Sequence, residues 1–491
     1  MSIVKIDILN HADYGASFRE DFEQPGISRF YSAIESVRSK NPEHTLLLDA
    51  GDNFKSWLWH ENVQEGIAIL KTDVYNYGNH DFDWGRENIE AASRRLLDLG
   101  VPIVCSNVIE KETGNLVKGA KPYVVFEKGG IKYGVLGLIT EYTPYMVTYR
   151  YFQPYTVIDS VECARKYIPQ MREEGAEVII VLTHFPFYFT DTDESGELIE
   201  VLDQIADLKP DCMIGGHIPG DYARVYKDCI VTKGGFGGVS LPHAILYFDT
   251  ETRKVVKREG EVIDVKGGDF PYDPEVDKFV ERVVGPKEYY FSEVIGKADE
   301  DIPSRLDFES PMADLLADMI MEKCPSDFVY FNNTSLGRIL PQGDLYRSSA
   351  MDITGFNDPL YHSVYTGRQI WDLFELVHDP DVFGNNGNIS FAGFNIKMDH
   401  TQPKGHKVVY IKKPDGTDID LNKEYTVTTS EYMSSGGNGT RAIAQSVKWQ
   451  ETGVRMFDLI EEYIIRHKTL RKPQLGRYLF IGKPENDNSP W

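Results

Sequence analysis

The chain has 491 residues with 41% hydrophobic and 12% aromatic content, which excludes a disordered polymer and leaves room for more than one core. Its 76 acidic against 52 basic residues give a formal charge of −24, which argues against a nucleic-acid polymer or an anionic membrane surface as partner. No apolar run reaches the ~20 residues that span a bilayer.

The N-terminus enters a strand, Ile3–Leu9, without the order of a signal peptide, so the cytoplasm is the expected location. Ile27, Phe30, Tyr31, Ile34 and Val37 then recur at helical spacing. Thr45–Leu48 is a short apolar strand ending in Asp49-Ala50-Gly51-Asp52. A helix is expected near Glu87–Leu99 and a strand near Val101–Cys105. Val124–Phe126 and Lys132–Ile139 flank Lys128-Gly129-Gly130 as a hairpin. Helix Glu162–Glu174 leads into strand Val178–Leu182, and helix Leu198–Ile205 into strand Cys212–Ile214. This alternation predicts an α/β fold with a mostly parallel sheet covered by helices on its faces. Five scattered cysteines (Cys105, Cys163, Cys212, Cys229, Cys324) read as buried free thiols.

The pattern breaks at Lys266-Gly267-Gly268-Asp269-Phe270-Pro271, and Asp273–Val284 reads as an exposed helix. We therefore expect a first domain over 1–265, a linker or hinge over 266–303 and a second, mixed α/β domain over 304–491. The second domain begins with helix Pro311–Lys323 and strand Phe328–Phe331, followed by a loop-rich stretch to about 364. Helix Gly367–Val377 comes next. A hairpin, Lys407–Ile411 with Tyr425–Thr429, is expected across Pro414-Asp415-Gly416, and the last helix covers roughly Val454–His467.

In α/β folds functional groups gather beyond the carboxyl ends of strands. Asp13, Asp52, Asn79, His184 and His217 all fall there. Carboxylate, amide oxygen and imidazole are ligands for Mn, Zn, Fe or Mg. Each alone has an ordinary reading as a turn, cap or hydrogen-bonded residue. Together, with Gly78-Asn79-His80-Asp81 between them, they read as a divalent metal centre.

Gly51-Asp52, Gly78-Asn79-His80-Asp81, Thr183-His184 and Gly215-Gly216-His217 resemble the ordered motifs of calcineurin-like metallophosphoesterases. The extended run Gly78-Asn79-His80-Asp81-Phe82-Asp83-Trp84-Gly85 is similar to the 5′-nucleotidase branch. The resemblance implies a four-layer α/β metallophosphoesterase domain and a 5′-nucleotidase-like C-terminal domain. By the same resemblance Asp52 would bridge two metal ions, Asn79, His184 and His217 would complete the second position, and Asp13 would belong to the first. His80 would act at the leaving oxygen, with Asp83 fixing its imidazole. Two departures fall on the first position. Gly15 and Pro219 stand where histidine ligands are usual, and neither side chain can bind a metal. One tight metal site is therefore expected, with the first weak, absent or rebuilt from His11, Asn53 or Asp221.

Gly355-Phe356-Asn357-Asp358 and Tyr432-Met433-Ser434-Ser435-Gly436-Gly437-Asn438-Gly439 resemble the aromatic loops of the C-terminal domain, so Phe356 and Tyr432 would sandwich a planar base. Asp358 stands where asparagine is usual and can only accept hydrogen bonds when ionised. Arg338 is the expected phosphate contact, with Arg305 and Arg347 as weaker candidates. The resemblance further implies closure by domain rotation. The expected reaction is metal-dependent hydrolysis of a phosphoester on a small nucleotide-like substrate. The alternatives are a phosphodiesterase or pyrophosphatase acting on cyclic or diphosphate nucleotides, and a nucleotide-binding protein with reduced catalysis.

Overall fold

The short apolar runs of the N-terminal half are strands, but they sort into two sheets rather than one. The computed structural model describes residues 3–21, 23–54, 60–190, 193–218, 220–305, 309–337, 339–379 and 389–482. It divides into two units, Met1–Pro286 and Lys287–Trp491.

In the first unit one six-stranded sheet runs in spatial order Lys254–Asp264, Ser240–Asp249, Ile3–His11, Thr45–Asp49, Val74–Asn76, Ile103–Val104. The other runs Tyr222–Tyr226, Cys229–Lys233, Cys212–Ile214, Val178–His184, Ile131–Ile139, Tyr123–Lys128. The strands nearest the site are parallel in both sheets, and antiparallel strands close the edges. Central strands such as Thr45–Asp49 and Val178–His184 are buried on both faces. One face of each sheet meets the other sheet: Ile6, Ile8, Leu46 and Leu48 pack with Val135, Ile180, Leu182 and Ile230. Each such side chain contributes roughly 1.5–3 kcal/mol on burial.

Helices cover only the outer faces. Ile27, Phe30 and Ile34 of helix Gly26–Arg38 pack on Leu9, Leu47 and Tyr75. On the far side Cys163, Ile168 and Met171 of helix Ser160–Glu173 pack on Leu136, Ile179 and Val181. The architecture is thus four-layered, α/β/β/α. Buried amides tie the two sheets together near their carboxyl ends, where the Asn10 side chain donates to Thr232 Oγ1 at 2.9 Å and that of Asn76 to the Leu138 carbonyl at 2.7 Å.

The segment 266–303 is not a bare linker. Helix Pro274–Val283 is capped by the Asp273 carboxylate, which accepts from the Glu275 and Val276 amides. It buries Val276, Phe279, Val280 and Val283 in the first unit's core, so it is amphipathic and packed rather than exposed. Strand Val294–Ala298, by contrast, belongs to a sheet of the second unit.

The second unit is built on a five-stranded mixed sheet in the order Ile389–Ala392, Phe328–Asn332, Glu424–Ser430, Pro359–Thr366, Gln450–Arg455. Strand Pro359–Thr366 begins inside the stretch expected as loop-rich to about 364. The expected hairpin at 407–429 does not form. Its turn is present, with the Gly416 amide donating to the Lys413 carbonyl at 2.9 Å, but the returning chain pairs only near Asp418 and Ile419. Strand Val408–Lys412 instead pairs with Asn395–Asp399, and Glu424–Ser430 runs on between Pro359–Thr366 and Phe328–Asn332. All five cysteines are free and buried. Among the described residues no helix is long and apolar enough to cross a membrane.

Candidate metal centre and active site

The carboxyl ends of Ile3–His11, Thr45–Asp49 and Val74–Asn76 from one sheet meet those of Val178–His184 and Cys212–Ile214 from the other at a cluster of prospective ligands. Oxygen and nitrogen atoms of Asp52, His184 and His217 all lie within 4.8 Å of one another. Asn79 Oδ1 lies 2.9 Å from His217 Nδ1. Asp13 adjoins them, with one oxygen 3.9 Å from His184 Nε2 and the other accepting from the His217 amide at 2.9 Å.

Backbone shape produces this convergence. Asp13, Asp52 and His217 have φ values of +55, +62 and +70°, uncommon for residues with a Cβ and typical of strained functional loops. Two motif glycines are required by close approach. A Cβ on Gly78 would lie 2.0 Å from Asp52 Oδ1, and one on Gly216 would lie 2.7 Å from His184 Nδ1. Asp81 locks the Asp52 turn to the Gly78 turn. Its buried carboxylate accepts from the amides of Asp52, Asn53, Phe54 and Gly78 and from the Tyr75 hydroxyl. Burial and the neighbouring Asp52 charge raise its pKa to about 6, although these donors oppose the shift.

His184 carries the fit test for a cation. Its Nδ1–H donates to the Ala50 carbonyl at 2.7 Å, which leaves Nε2 as a lone pair. That Nε2 is buried, has no hydrogen-bond partner among the described residues and faces Asp52 Oδ2 at 3.0 Å. A nitrogen lone pair and a carboxylate oxygen in that position require a proton or a metal ion between them. Burial disfavours the protonated imidazole, yet the Asp52 and Asp13 carboxylates outweigh it and raise the pKa to about 10. Burial, reinforced by His184, lowers the pKa of His217 to about 3, so it is a neutral imidazole suited to ligation. The donor set of carboxylate, amide oxygen and two imidazoles fits a divalent ion.

Beside this cluster His80 Nδ1 lies 2.6 Å from Asp83 Oδ2, with both side chains partly open to solvent. The His80 amide donates to Asp52 Oδ1 at 2.8 Å, tying the pair to the ligand set. Asp83 does not cap the following helix, Gly85–Asp98, whose N-cap is Trp84.

Of the residues considered for rebuilding the first position, Asn53 and Asp221 hold other partners, while both ring nitrogens of His11 are buried without a hydrogen-bond partner among the described residues. The Asn53 side chain donates to the Asp49 carboxylate at 2.7 Å, and His11 is buried with Nε2 3.5 Å from Asp49 Oδ2. Asp221 accepts from the Ser240 hydroxyl. A Cβ on Gly15 would meet the Asp13 carbonyl oxygen at 3.9 Å, with no other described atom beyond its chain neighbours within 4 Å. Pro219 and Arg338 lie outside the described residues.

Lys233 was not singled out by the motifs. It closes strand Cys229–Lys233 and is 1% exposed. Burial lowers its pKa to about 8, against the charges of Asp13 and Asp221, which hold it up. A cation ending an apolar strand just before Gly234-Gly235 was the sequence signal that could have found it.

In the second unit Leu360 pairs with Ser430. The loop carrying Phe356 and Asp358 therefore enters, and the short helix Glu431–Ser434 carrying Tyr432 leaves, at the same end of two neighbouring strands. Asn357 caps helix Met456–His467, its side-chain oxygen accepting from the Phe457 amide at 3.0 Å. Phe356, Asp358 and Tyr432 are half-buried. The Tyr432 ring lies flat on Gly437, where a Cβ would approach Cε1 to 2.2 Å. Arg347 is ion-paired with Glu293 and Glu461.

Comparison with known proteins agrees with the two-domain fold. The calcineurin-like phosphoesterase family model matches residues 12–221, and the model of the 5′-nucleotidase C-terminal domain matches residues 294–445. The chain is 24% identical to the 5′-nucleotidase of Diplobatis ommata over 96% of this chain and 87% of that protein. It is 23% identical to endonuclease YhcR of Bacillus subtilis over 87% of this chain, but spans only 35% of that protein's length. The crystal structure of the 5′-nucleotidase precursor from Thermus thermophilus shares the fold at a TM-score of 0.82, with 19% identity over 98% of this chain and 100% of that one. With both family models matched in order and the four-layer fold carrying their motifs at one set of strand ends, the chain belongs to the 5′-nucleotidase family of calcineurin-like metallophosphoesterases.

Proposed function

We propose that this protein hydrolyses the phosphomonoester of a nucleotide-like compound at a centre holding one divalent ion tightly. The observation that carries the reading is the convergence of Asp52, Asn79, His184 and His217 beside the His80–Asp83 pair. When bound, the ion would supply Lewis-acid polarisation of the phosphoryl group. The chain's own groups do the rest. Asp83 accepts from His80 Nδ1–H and stabilises the imidazolium, whose Nε2–H would pass its proton to the leaving oxygen and leave a neutral imidazole. The Asp52 carboxylate, fixed by the His80 amide, orients that imidazole relative to the ligands.

Phe356 and Tyr432 are the groups we assign to the base, since stacking is worth roughly 1–3 kcal/mol per base. Asp358 would select bases that present a hydrogen-bond donor, because a carboxylate offers only acceptors.

The test is an activity screen of metal-stripped and metal-restored protein over nucleoside mono-, di- and cyclic phosphates, with His80→Ala and His184→Ala alongside. The expected result is metal-dependent release of phosphate from monophosphates, lost in both variants. Activity untouched by both substitutions would falsify the site assignment. Hydrolysis confined to cyclic or diphosphate substrates would turn the reading to a phosphodiesterase or pyrophosphatase. Binding without turnover would turn it to a nucleotide-binding protein.

A further inference from the structure

The turn that carries Asp13 has to be held from outside. Asp13, Gly15 and Ala16 have φ values of +55, +62 and +59°, and left-handed backbone is unfavourable at residues with a Cβ. In the family pattern an ion at the first position lies between Asp13 and Asp52 and joins their two turns. Gly15 and Pro219 remove two of the ligands that ion would use, so the join has to come from the chain.

Asn53 makes it. The residue follows Asp52 directly and is 1% exposed. Its side-chain Oδ1 accepts from the Tyr14 amide at 3.2 Å, and Nδ2 donates to both oxygens of Asp49 at 2.7 and 2.8 Å. Its backbone amide donates to Asp81 Oδ1 at 3.1 Å. Asp49, wholly buried, also accepts from the Gly51 amide at 3.0 Å, and the Gly51 carbonyl accepts from the Asp13 amide at 2.8 Å. One residue thus touches the chain just after Asp13, the strand end just before Asp52 and the turn that carries Asn79 and His80. The Tyr14 amide needs an acceptor and the Asp49 carboxylate needs a donor. At that length an amide side chain offers both. Reversing it would set N–H against N–H and oxygen against carboxylate, so its orientation is fixed. Asp13 and Asp52 lie 3.9 and 3.0 Å from His184 Nε2, so the link between their turns sets the spacing of both carboxylates about that nitrogen.

We propose that Asn53 is a positioning residue that holds the Asp13 turn against the Asp52 turn, taking over the cross-link that an ion at the first position would give. This rests on the one-ion reading above and names the part of the chain that lets such a centre keep its shape. Asn53 acts through Asp13 and Asp52, as hydrogen-bond partners behind metal ligands do.

Co²⁺ titration of the metal-stripped full-length protein, followed by visible absorption, reads both affinity and ligand geometry. Wild type, Asn53→Ala and an exchange variant combining Asp49→Asn with Asn53→Asp are compared, with urea denaturation alongside. The exchange moves the carboxylate to position 53, where it can accept from the Tyr14 amide. It moves the amide to position 49, where it can donate back, at unchanged net charge. Asn53→Ala should bind Co²⁺ about 10- to 100-fold more weakly, with a shifted spectrum at saturating metal, and the exchange variant should restore both. Wild-type affinity and spectrum in Asn53→Ala, with only the urea midpoint lowered, would make Asn53 purely structural and overturn the proposal. An exchange variant that fails to restore them would overturn it too. If Asn53→Ala does not fold, the exchange variant decides alone: a wild-type spectrum supports the link and a shifted one sinks it. No Co²⁺ uptake by the wild type would instead remove the metal-centre reading on which the assignment rests.

Discussion

Asp81 and Asp83 stand two residues apart in one motif and do different work. Asp83 holds the open imidazole of His80, whereas Asp81 is buried and gathers four backbone amides and the Tyr75 hydroxyl. Asp83→Asn should therefore leave folding and metal content intact while lowering kcat about 10- to 100-fold with little change in KM. Steady-state kinetics with metal analysis checks this, and a loss of bound metal would argue against a role confined to His80. Asp81→Ala should cost at least about 3 kcal/mol in chemical denaturation, because it strands several buried donors at once. The sequence made His80, Asp83 and the ligands legible, since each is a distinctive residue type at a strand end. It showed Asp81 only as a motif letter and Lys233 only as a cation ending an apolar strand, because burial and shared backbone donors leave no mark in local spacing.

At the scale of elements, the parallel strands and their following helices were readable from apolar runs and 3.6-residue periodicity. The partners of strands in the second unit were not, because Pro414-Asp415-Gly416 specifies a turn but not how far the returning chain pairs. One junction carries a pH signature. Glu197 opens helix Glu197–Ile205 and accepts from Thr140 Oγ1 at 2.5 Å and the Glu141 amide at 3.0 Å, joining that helix to the loop after strand Ile131–Ile139. Burial raises its pKa from 4.5 to about 7, despite these two hydrogen bonds. The raised value means the folded state holds a proton that the unfolded chain releases first. The resulting stability is fully present below pH ~4.5, falls as pH rises, and is gone above pH ~7. Glu197→Gln should thus gain on the wild type between pH 5 and 8, by up to about 3 kcal/mol. Urea denaturation of both proteins at those two pH values, at equal metal loading, is the check. An unchanged difference between them would show that Glu197 does not ionise in this range.

At the scale of the whole chain, the two units differ in what they bring. Among the described residues Met1–Pro286 contains the Asp52, His184 and His217 cluster and the His80–Asp83 pair, and its sheets and helices bury large apolar clusters. Lys287–Trp491 has its own core around Phe328, Phe374 and Phe391 and carries both aromatic loops. A unit with its own core can fold alone, and helix Pro274–Val283 must stay with the first, since removing it would expose Phe18 where it meets Phe279 edge-on at 5.1 Å. A fragment ending at Pro286 should therefore fold, bind metal and hydrolyse a small aryl phosphate. Its kcat/KM for a nucleoside monophosphate should fall by a factor between about 5 and about 10⁴, the loss that follows from removing one or two stacking contacts at roughly 1–3 kcal/mol each. A fragment ending at 265, where the composition changes, should unfold at lower denaturant or aggregate. Circular dichroism, metal titration and the ratio of aryl to nucleotide hydrolysis separate the cases. If the longer fragment keeps full nucleotide preference, base recognition belongs to the metal-binding unit and the assignment of Phe356 and Tyr432 is wrong.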